Sequence, residues 1–171
     1  MDWDAFGALA EGLGALVVIA SVIYLGKQVR DNTKQASAES QSRIIENWTR
    51  ILDSMTVDER VTNAVRKSYS GLQAMSDDEK FIAYMRFASM VNHLEMVLRL
   101  EKQGLIPTDT SETFGNIIAM LLATPGWEEF WSLDGGLAVP LTASYLKDRA
   151  SPESETVPFT EVIPFFAYSK E

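Results

Sequence analysis

The residues best suited to chemistry are the only histidine, His93, and a glutamate two positions later, Glu95. Their segment has helical periodicity, so two residues that are two positions apart point to different faces. They do not form a ligand pair by themselves, and a metal site would need carboxylates from other helices. We therefore interpret His93 as a polar or half-buried residue on a packing helix.

Glu95 lies where the apolar stripe of its helix predicts a hydrophobic residue. A carboxylate at such a position either forms a structural ion pair or acts as a catalytic acid, and we favour the ion pair. Its candidate partners are Arg86, Arg99 or an arginine from another helix. We predict Glu95 and Arg86 as the buried polar pair.

The remaining sequence contains no pattern typical of an enzyme. It has no phosphate-binding glycine loop, no nucleophile elbow and no carboxylate–histidine metal motif. It has no cysteine, which excludes disulfides and thiolate sites, and its single histidine excludes a multi-histidine metal site within one chain. The sequence therefore predicts no enzyme activity, catalytic residue, metal or cofactor. A carboxylate-based enzyme, with acids clustered by the fold, is the weaker alternative.

The charge is negative overall and uneven along the chain. The net charge of −9 argues against a general basic surface for nucleic acid. Residues 1–25 carry three acids and no base, whereas residues 26–100 hold 11 Lys/Arg against 10 Asp/Glu. Residues 101–171 hold 4 bases against 11 acids, so the far end is acidic.

The first segment is long and apolar enough to span a membrane. From Ala5 to Leu25 the only charge is Glu11, and a helix of this length matches a hydrocarbon core of about 30 Å. We predict an outer N-terminus at residues 1–4 and a transmembrane helix at residues 5–26. The alternatives are a signal peptide, which the acidic start disfavours, and a soluble oligomer that buries this helix.

Three bases follow the apolar run and predict its orientation. Lys27, Arg30 and Lys34 are expected to stay in the cytoplasm. The N-terminus then points outward, and the rest of the chain lies in the cytoplasm.

Small residues within the run predict helix contacts. Ala8 with Gly12, and Ala10 with Gly14, are spaced four apart, which lets two helices approach closely. The alternative is that glycine and alanine are simply common in membrane helices. Glu11 either reaches the outer interface or is protonated, or it hydrogen-bonds a neighbouring helix or lines a polar site. We favour a partner contact, because intramembrane carboxylates are costly.

The rest of the chain predicts a polar helical stalk at residues 27–43, a helical domain at 44–150 and a proline-containing tail at 151–171. The fold class is all-α, with about five helices forming a small cytoplasmic bundle. Ile44, Trp48, Ile51 and Met55 recur at the spacing of an amphipathic helix. The last helix is expected at residues 138–149, and the tail is expected to be extended, with its apolar VIPFFAY stretch docked on the helices.

Local signals predict where several helices begin and end. They are the capping boxes Thr56–Glu59 and Ser76–Glu79, a stop near Gly104, a cap at Asp109 or Thr110, and Pro125 in a first turn.

The stretch GALAEGLGALVVIASVIYLGKQVRDNTKQ resembles the start of a group of short bacterial membrane proteins of unknown function. The shared pattern is an acidic start, a Gly/Ala/Val-rich helix, a Tyr-Leu pair and a Q-[VI]-R-x-N-T motif, here QVRDNT at residues 28–33. An aromatic helix with an acidic residue, like residues 87–95, and a Pro-Gly…Trp element, like residues 125–131, extend the resemblance. DGGLAVPL and the tail depart from it. The resemblance implies a helical protein anchored in the bacterial inner membrane and brings no activity.

These observations predict a membrane-anchored accessory or scaffold protein, either a subunit of a larger membrane complex or a homo-oligomer. Its expected partners are membrane lipid and, through the N-terminal helix, itself or another membrane protein. No nucleic-acid partner is expected. The alternative function is a membrane-tethered sensor or small-ligand binder that uses an aromatic, methionine-rich interior near Glu95 or Trp48.

Overall fold

The computed structural model describes residues 3–134, 139–147 and 156–163, without the side chains of residues 3–6, 8–10 and 134. Within these ranges every element is an α-helix, which confirms the predicted all-α class. The helices are α1 Trp3–Met55, α2 Glu59–Tyr69, α3 Asp77–Lys102, α4 Thr108–Leu122, α5 Pro125–Asp134, α6 Pro140–Leu146 and α7 Phe159–Val162.

The chain divides into two compact units, residues 1–39 and residues 40–171. The first unit is the N-terminal part of α1. The second contains the C-terminal part of α1 and all later helices, so α1 contributes to both.

The first two capping predictions have opposite outcomes. Ser76 caps α3 as predicted, because its hydroxyl accepts a hydrogen bond from the Glu79 N–H at 3.3 Å while the Glu79 carboxylate accepts one from the Ser76 N–H at 2.8 Å. The box at Thr56 is wrong. The cap of α2 is Asp58, whose carboxylate accepts a hydrogen bond from the Val61 N–H at 2.8 Å. An aspartate next to the helix start competes well for this role.

The next boundaries follow from backbone conformation. Gly104 adopts a positive φ of 70° just after the end of α3, as the predicted stop requires. The cap of α4 is Pro107, which makes no side-chain hydrogen bond, so the predicted cap at Asp109 or Thr110 is wrong. Pro125 is the first residue of α5, where its missing N–H costs nothing, as predicted.

The last described elements lie partly within the predicted ones. Helix α6 runs from Pro140 to Leu146, inside the predicted range 138–149, whose remaining residues lie largely outside the described ones. In the tail a short helix, α7, replaces part of the expected extended chain. The Phe159 ring lies 6.1 Å from that of Tyr69, so this part of the tail packs on α2. Most of VIPFFAY lies outside the described residues.

The amphipathic face predicted for the later part of α1 is confirmed. Ile44, Ile51 and Met55 are buried, and Trp48 is half-buried against the core. Ile45, on the flank of this stripe, remains exposed. Periodic apolar residues therefore identify the buried side of this part of α1 within the second unit.

Helix α3 is the central element of the second unit. It packs against α2, α4, α5 and α6. Phe87 is fully buried, with its ring centroid 5.3 Å from that of Trp127 and 5.8 Å from that of Phe130. Phe81, the fifth residue of α3, is 66% exposed, so the apolar residues near the start of this helix are not all part of the core.

The α2–α5 contact depends on a glycine. A Cβ on Gly126 would collide with the backbone carbonyl oxygen of Ser68, so only glycine permits this approach. The neighbouring Trp127 indole N–H donates a hydrogen bond to the Ser68 hydroxyl at 3.2 Å. The Pro125-Gly126 pair of the Pro-Gly…Trp element thus lies where α5 closely approaches α2.

Candidate functional site

The first unit has an apolar surface that nothing in the described structure covers. From Leu13 to Leu25, nine large apolar side chains are each 56–69% exposed. This helix is long and apolar enough to cross a membrane, judged by length and composition alone. Core helices of soluble proteins and signal sequences pass the same test. In this structure, however, none of the apolar window is buried.

The predicted helix-contact residues all lie in α1. Glu11, Gly12 and Gly14 are exposed, and a Cβ on either glycine would meet no atom within 4 Å. There is therefore open space for a neighbour beside both glycines. The side chains of Ala8 and Ala10 lie outside the described residues.

The three predicted topology residues, Lys27, Arg30 and Lys34, are exposed on α1 immediately after the apolar run. The helix continues through them without interruption. Their position relative to the apolar segment is therefore set by regular helical geometry.

Glu95 is a buried carboxylate with two charge-compensating partners. It is 5% exposed. One carboxylate oxygen accepts a hydrogen bond from the Arg99 guanidinium at 2.8 Å, and the other accepts one from the backbone N–H of Thr142 at 2.8 Å. Thr142 is the third residue of α6, whose N-cap residue, Val139, has no side-chain hydrogen bond. Glu95 on α3 thus caps α6 from outside that helix.

The structure gives Glu95 a different partner from the predicted Arg86. Arg99 follows Glu95 by one helical turn, the spacing at which side chains meet. Arg86 precedes Glu95 by nine residues in α3, which is about 13.5 Å along the axis and half a turn around it. The Arg86 Nε atom is buried and makes no hydrogen bond. The pair Glu95–Arg86 is therefore replaced by Glu95–Arg99.

His93 is buried rather than half-buried and sits among aromatic rings. It is 2% exposed, with its ring centroid 5.3 Å from that of Trp48 and 4.9 Å from that of Phe114. The Asn47 amide donates a hydrogen bond to His93 Nδ1 at 3.0 Å, which places the proton of the neutral ring on Nε2. Burial lowers the pKa of His93 from 6.5 to about 4, so the ring is neutral at pH 7.

Neither polar residue is arranged for metal binding. Within the described residues no group of three or more His, Asp or Glu side chains is placed to hold a metal ion. Because both Glu95 oxygens already accept hydrogen bonds, the arrangement supports a structural role for this carboxylate. A cavity of about 370 Å³ lies between α4 and the tail, and neither Glu95 nor Trp48 lines it. Its lining residues are Asn116, Ala119, Met120, Thr156, Val157 and Val162.

Comparison with known proteins does not assign the chain to a family. The chain matches no protein-family model, no curated protein and no solved structure. The resemblance to short bacterial membrane proteins therefore rests on its motifs alone.

Two hydrogen-bond partners of the buried residues His93 and Glu95 were not identified from the sequence. Asn47 falls between Ile44 and Ile51 on the buried face of α1, and a polar residue on that face was the signal that marked it. Thr142 contributes its backbone N–H, which every residue except proline has. Its only signal was a helix start at Pro140 that lacks a side-chain cap.

We predict that Glu95→Gln lowers the free energy of unfolding by about 1.5–3 kcal/mol, the range for hydrogen bonds to charged groups. The amide has one acceptor oxygen and would turn its NH₂ toward either Arg99 or the Thr142 N–H. Chemical unfolding of the full chain in detergent, followed by tryptophan fluorescence, measures the loss. Amide exchange at Thr142 should also become faster.

The matched control is Glu46→Gln, which removes a carboxylate from an exposed pair with Arg50, also one helical turn away. Such a pair contributes less than about 1 kcal/mol. Equal effects of the two substitutions would contradict a capping role for Glu95.

We also predict that His93 makes stability fall in mild acid. The folded ring has a lower pKa than the unfolded one, so between pH 6.5 and about 4 only the unfolded chain takes up the proton. The free energy of unfolding should therefore decrease by about 1.5 kcal/mol from pH 6.5 to pH 5. In His93→Gln, unfolding curves measured across this pH range should no longer show this decrease in the free energy of unfolding. An identical slope in the variant would refute the assignment.

Proposed function

We propose that this protein is a single-pass membrane protein whose helical domain acts as an accessory or scaffold subunit. The observation that carries the proposal is the uncovered apolar surface of α1 from Leu13 to Leu25. Soluble proteins rarely expose an apolar patch larger than a few hundred Å². Covering nine large side chains contributes on the order of 10 kcal/mol, which hydrocarbon can supply.

The direction of insertion in this proposal comes from the charges on either side of the apolar run. Lys27, Arg30 and Lys34 follow it, whereas residues 1–12 carry three acids and no base. Lysine and arginine are retained on the cytoplasmic side. The N-terminus is then outside, and the helical domain is in the cytoplasm. The proposed membrane is the bacterial inner membrane, which the resemblance implies.

The proposed role in assembly rests on small residues on two faces of α1. Gly12 and Gly14 leave open space at the helix surface, and small residues let membrane helices pack closely. Glu11 lies on the same segment, where a carboxylate is stabilised by a hydrogen-bonding neighbour. The partner is a second copy of the chain or another membrane protein.

We expect the double substitution Val17→Arg/Val18→Arg to abolish anchoring. Each arginine near the centre of the span costs about 2.5–3.5 kcal/mol on insertion scales. The wild-type chain should remain in the membrane pellet after extraction at alkaline pH, and the double variant should be released. Single cysteines introduced on either side of the span, in a chain that has none of its own, then report orientation through an impermeant thiol reagent.

The matched control is Val57→Arg/Val162→Arg, which makes the same changes at valines that are 68% and 54% exposed in the second unit. This variant should stay in the pellet. Release of the wild-type chain would contradict the proposed anchor.

Association through α1 should be detectable by cysteine crosslinking in native membranes. Gly12→Cys and Gly14→Cys lie about 200° apart around the helix, so a specific interface should crosslink one strongly and the other weakly. Leu13→Cys, between the two faces, is the control. The product is a covalent dimer or an adduct with one other protein. A strictly monomeric chain at both positions would contradict the scaffold proposal.

A further inference from the structure

Three bases lie on one face of α1. At 100° per residue, Arg30 is about 60° and Lys34 about 20° from Lys27 around the axis, and the set spans about 10.5 Å along it. The one acid in this stretch, Asp31, lies at the edge of the face, about 40° from Lys27. The face therefore carries a net positive charge in a chain whose overall charge is −9.

These bases are available to an external anion. All three are exposed, and none forms an ion pair or hydrogen bond with another side chain in the described structure. By contrast, Arg50 and Arg60 are paired with carboxylates. Within the described residues, the charges of the basic face are thus not paired with a carboxylate, and the face keeps a net positive charge beside Asp31.

In the proposed anchor, helical geometry positions these bases near the membrane surface. Lys27 and Arg30 follow Leu25 by about 3 and 7.5 Å along the axis, within the roughly 5–7 Å headgroup layer or at its edge. Lys34 lies about 13.5 Å away. Side chains on a helix tilt toward its N-terminus, and here that direction is back toward the apolar run. Long basic side chains reach the interface in this way.

We propose that Lys27, Arg30 and Lys34 form a binding face for the phosphate groups of anionic phospholipids. The proposal rests on the membrane anchor proposed above, and it holds whichever way the helix is inserted. Lipid is the occupant because the bases directly continue the apolar surface, so one molecule contacts both through its headgroup and its acyl chains. A base near an anionic surface favours binding by roughly fivefold.

The test uses the full chain reconstituted in phosphatidylcholine vesicles that contain either spin-labelled phosphatidylglycerol or spin-labelled phosphatidylcholine. The ratio of their protein-associated fractions measures selectivity. We expect the wild-type chain to prefer phosphatidylglycerol at least about twofold in 0.1 M salt. The preference should shrink in 1 M salt, where the Debye length falls from about 10 to about 3 Å. Lys27→Gln/Arg30→Gln/Lys34→Gln should bring the ratio close to one.

The matched control is Arg50→Gln/Arg60→Gln/Lys102→Gln, which removes the same charge from exposed bases of the second unit and should retain the preference. Alkaline extraction of the same vesicles separates the two proposals. A wild-type chain that resists extraction and shows no preference overturns the lipid site and leaves the anchor standing. A preference that survives high salt or the Lys27/Arg30/Lys34 substitutions also overturns it. Extraction of the wild-type chain overturns both.

Discussion

A buried charge on the central helix is the constraint on which the second unit depends. Helix α3 packs against α2, α4, α5 and α6, and Glu95, on its buried side, has little access to water. Glu95 is tolerated because Arg99 and the Thr142 N–H compensate both of its oxygens. The N-terminus of α6, which lacks a cap of its own, gains an acceptor from the same contact. The contact thus satisfies both the buried Glu95 carboxylate and the N-terminus of α6, and it links α6 to the central helix α3.

Helix α1 meets two different environments along one continuous element. In the second unit its apolar side is covered by protein, with Ile44 and Ile51 buried and Asn47 bonded to His93. In the first unit the apolar side chains surround the helix and have no protein cover. A helix that is apolar all round needs a different surrounding from one with a single apolar stripe. This difference in pattern is the physical basis for proposing lipid around the first part.

Prediction from the sequence succeeded where a local signal decides the structure. The amphipathic stripe at Ile44–Met55, the capping box at Ser76 and the helix start at Pro125 each depend on residues within a few positions. It failed at α2, because the nearby Asp58 offered a better cap than Thr56. For Glu95 the ion pair was anticipated, but helical spacing favours Arg99 over the Arg86 chosen. The capping of α6 by Glu95 could not be predicted from local sequence signals, because it joins residues 47 positions apart.

The sequence by itself determined the all-α class, the long apolar helix with bases after it, and the buried side of the later part of α1. These properties follow from composition and from the 3.6-residue period, which operate over short distances. Only the tertiary structure decided that His93 is enclosed by Trp48 and Phe114, that Gly126 permits α5 to approach Ser68, and that Glu95 caps α6. Each of these joins residues distant along the chain, and their contact depends on how whole helices pack rather than on any local preference.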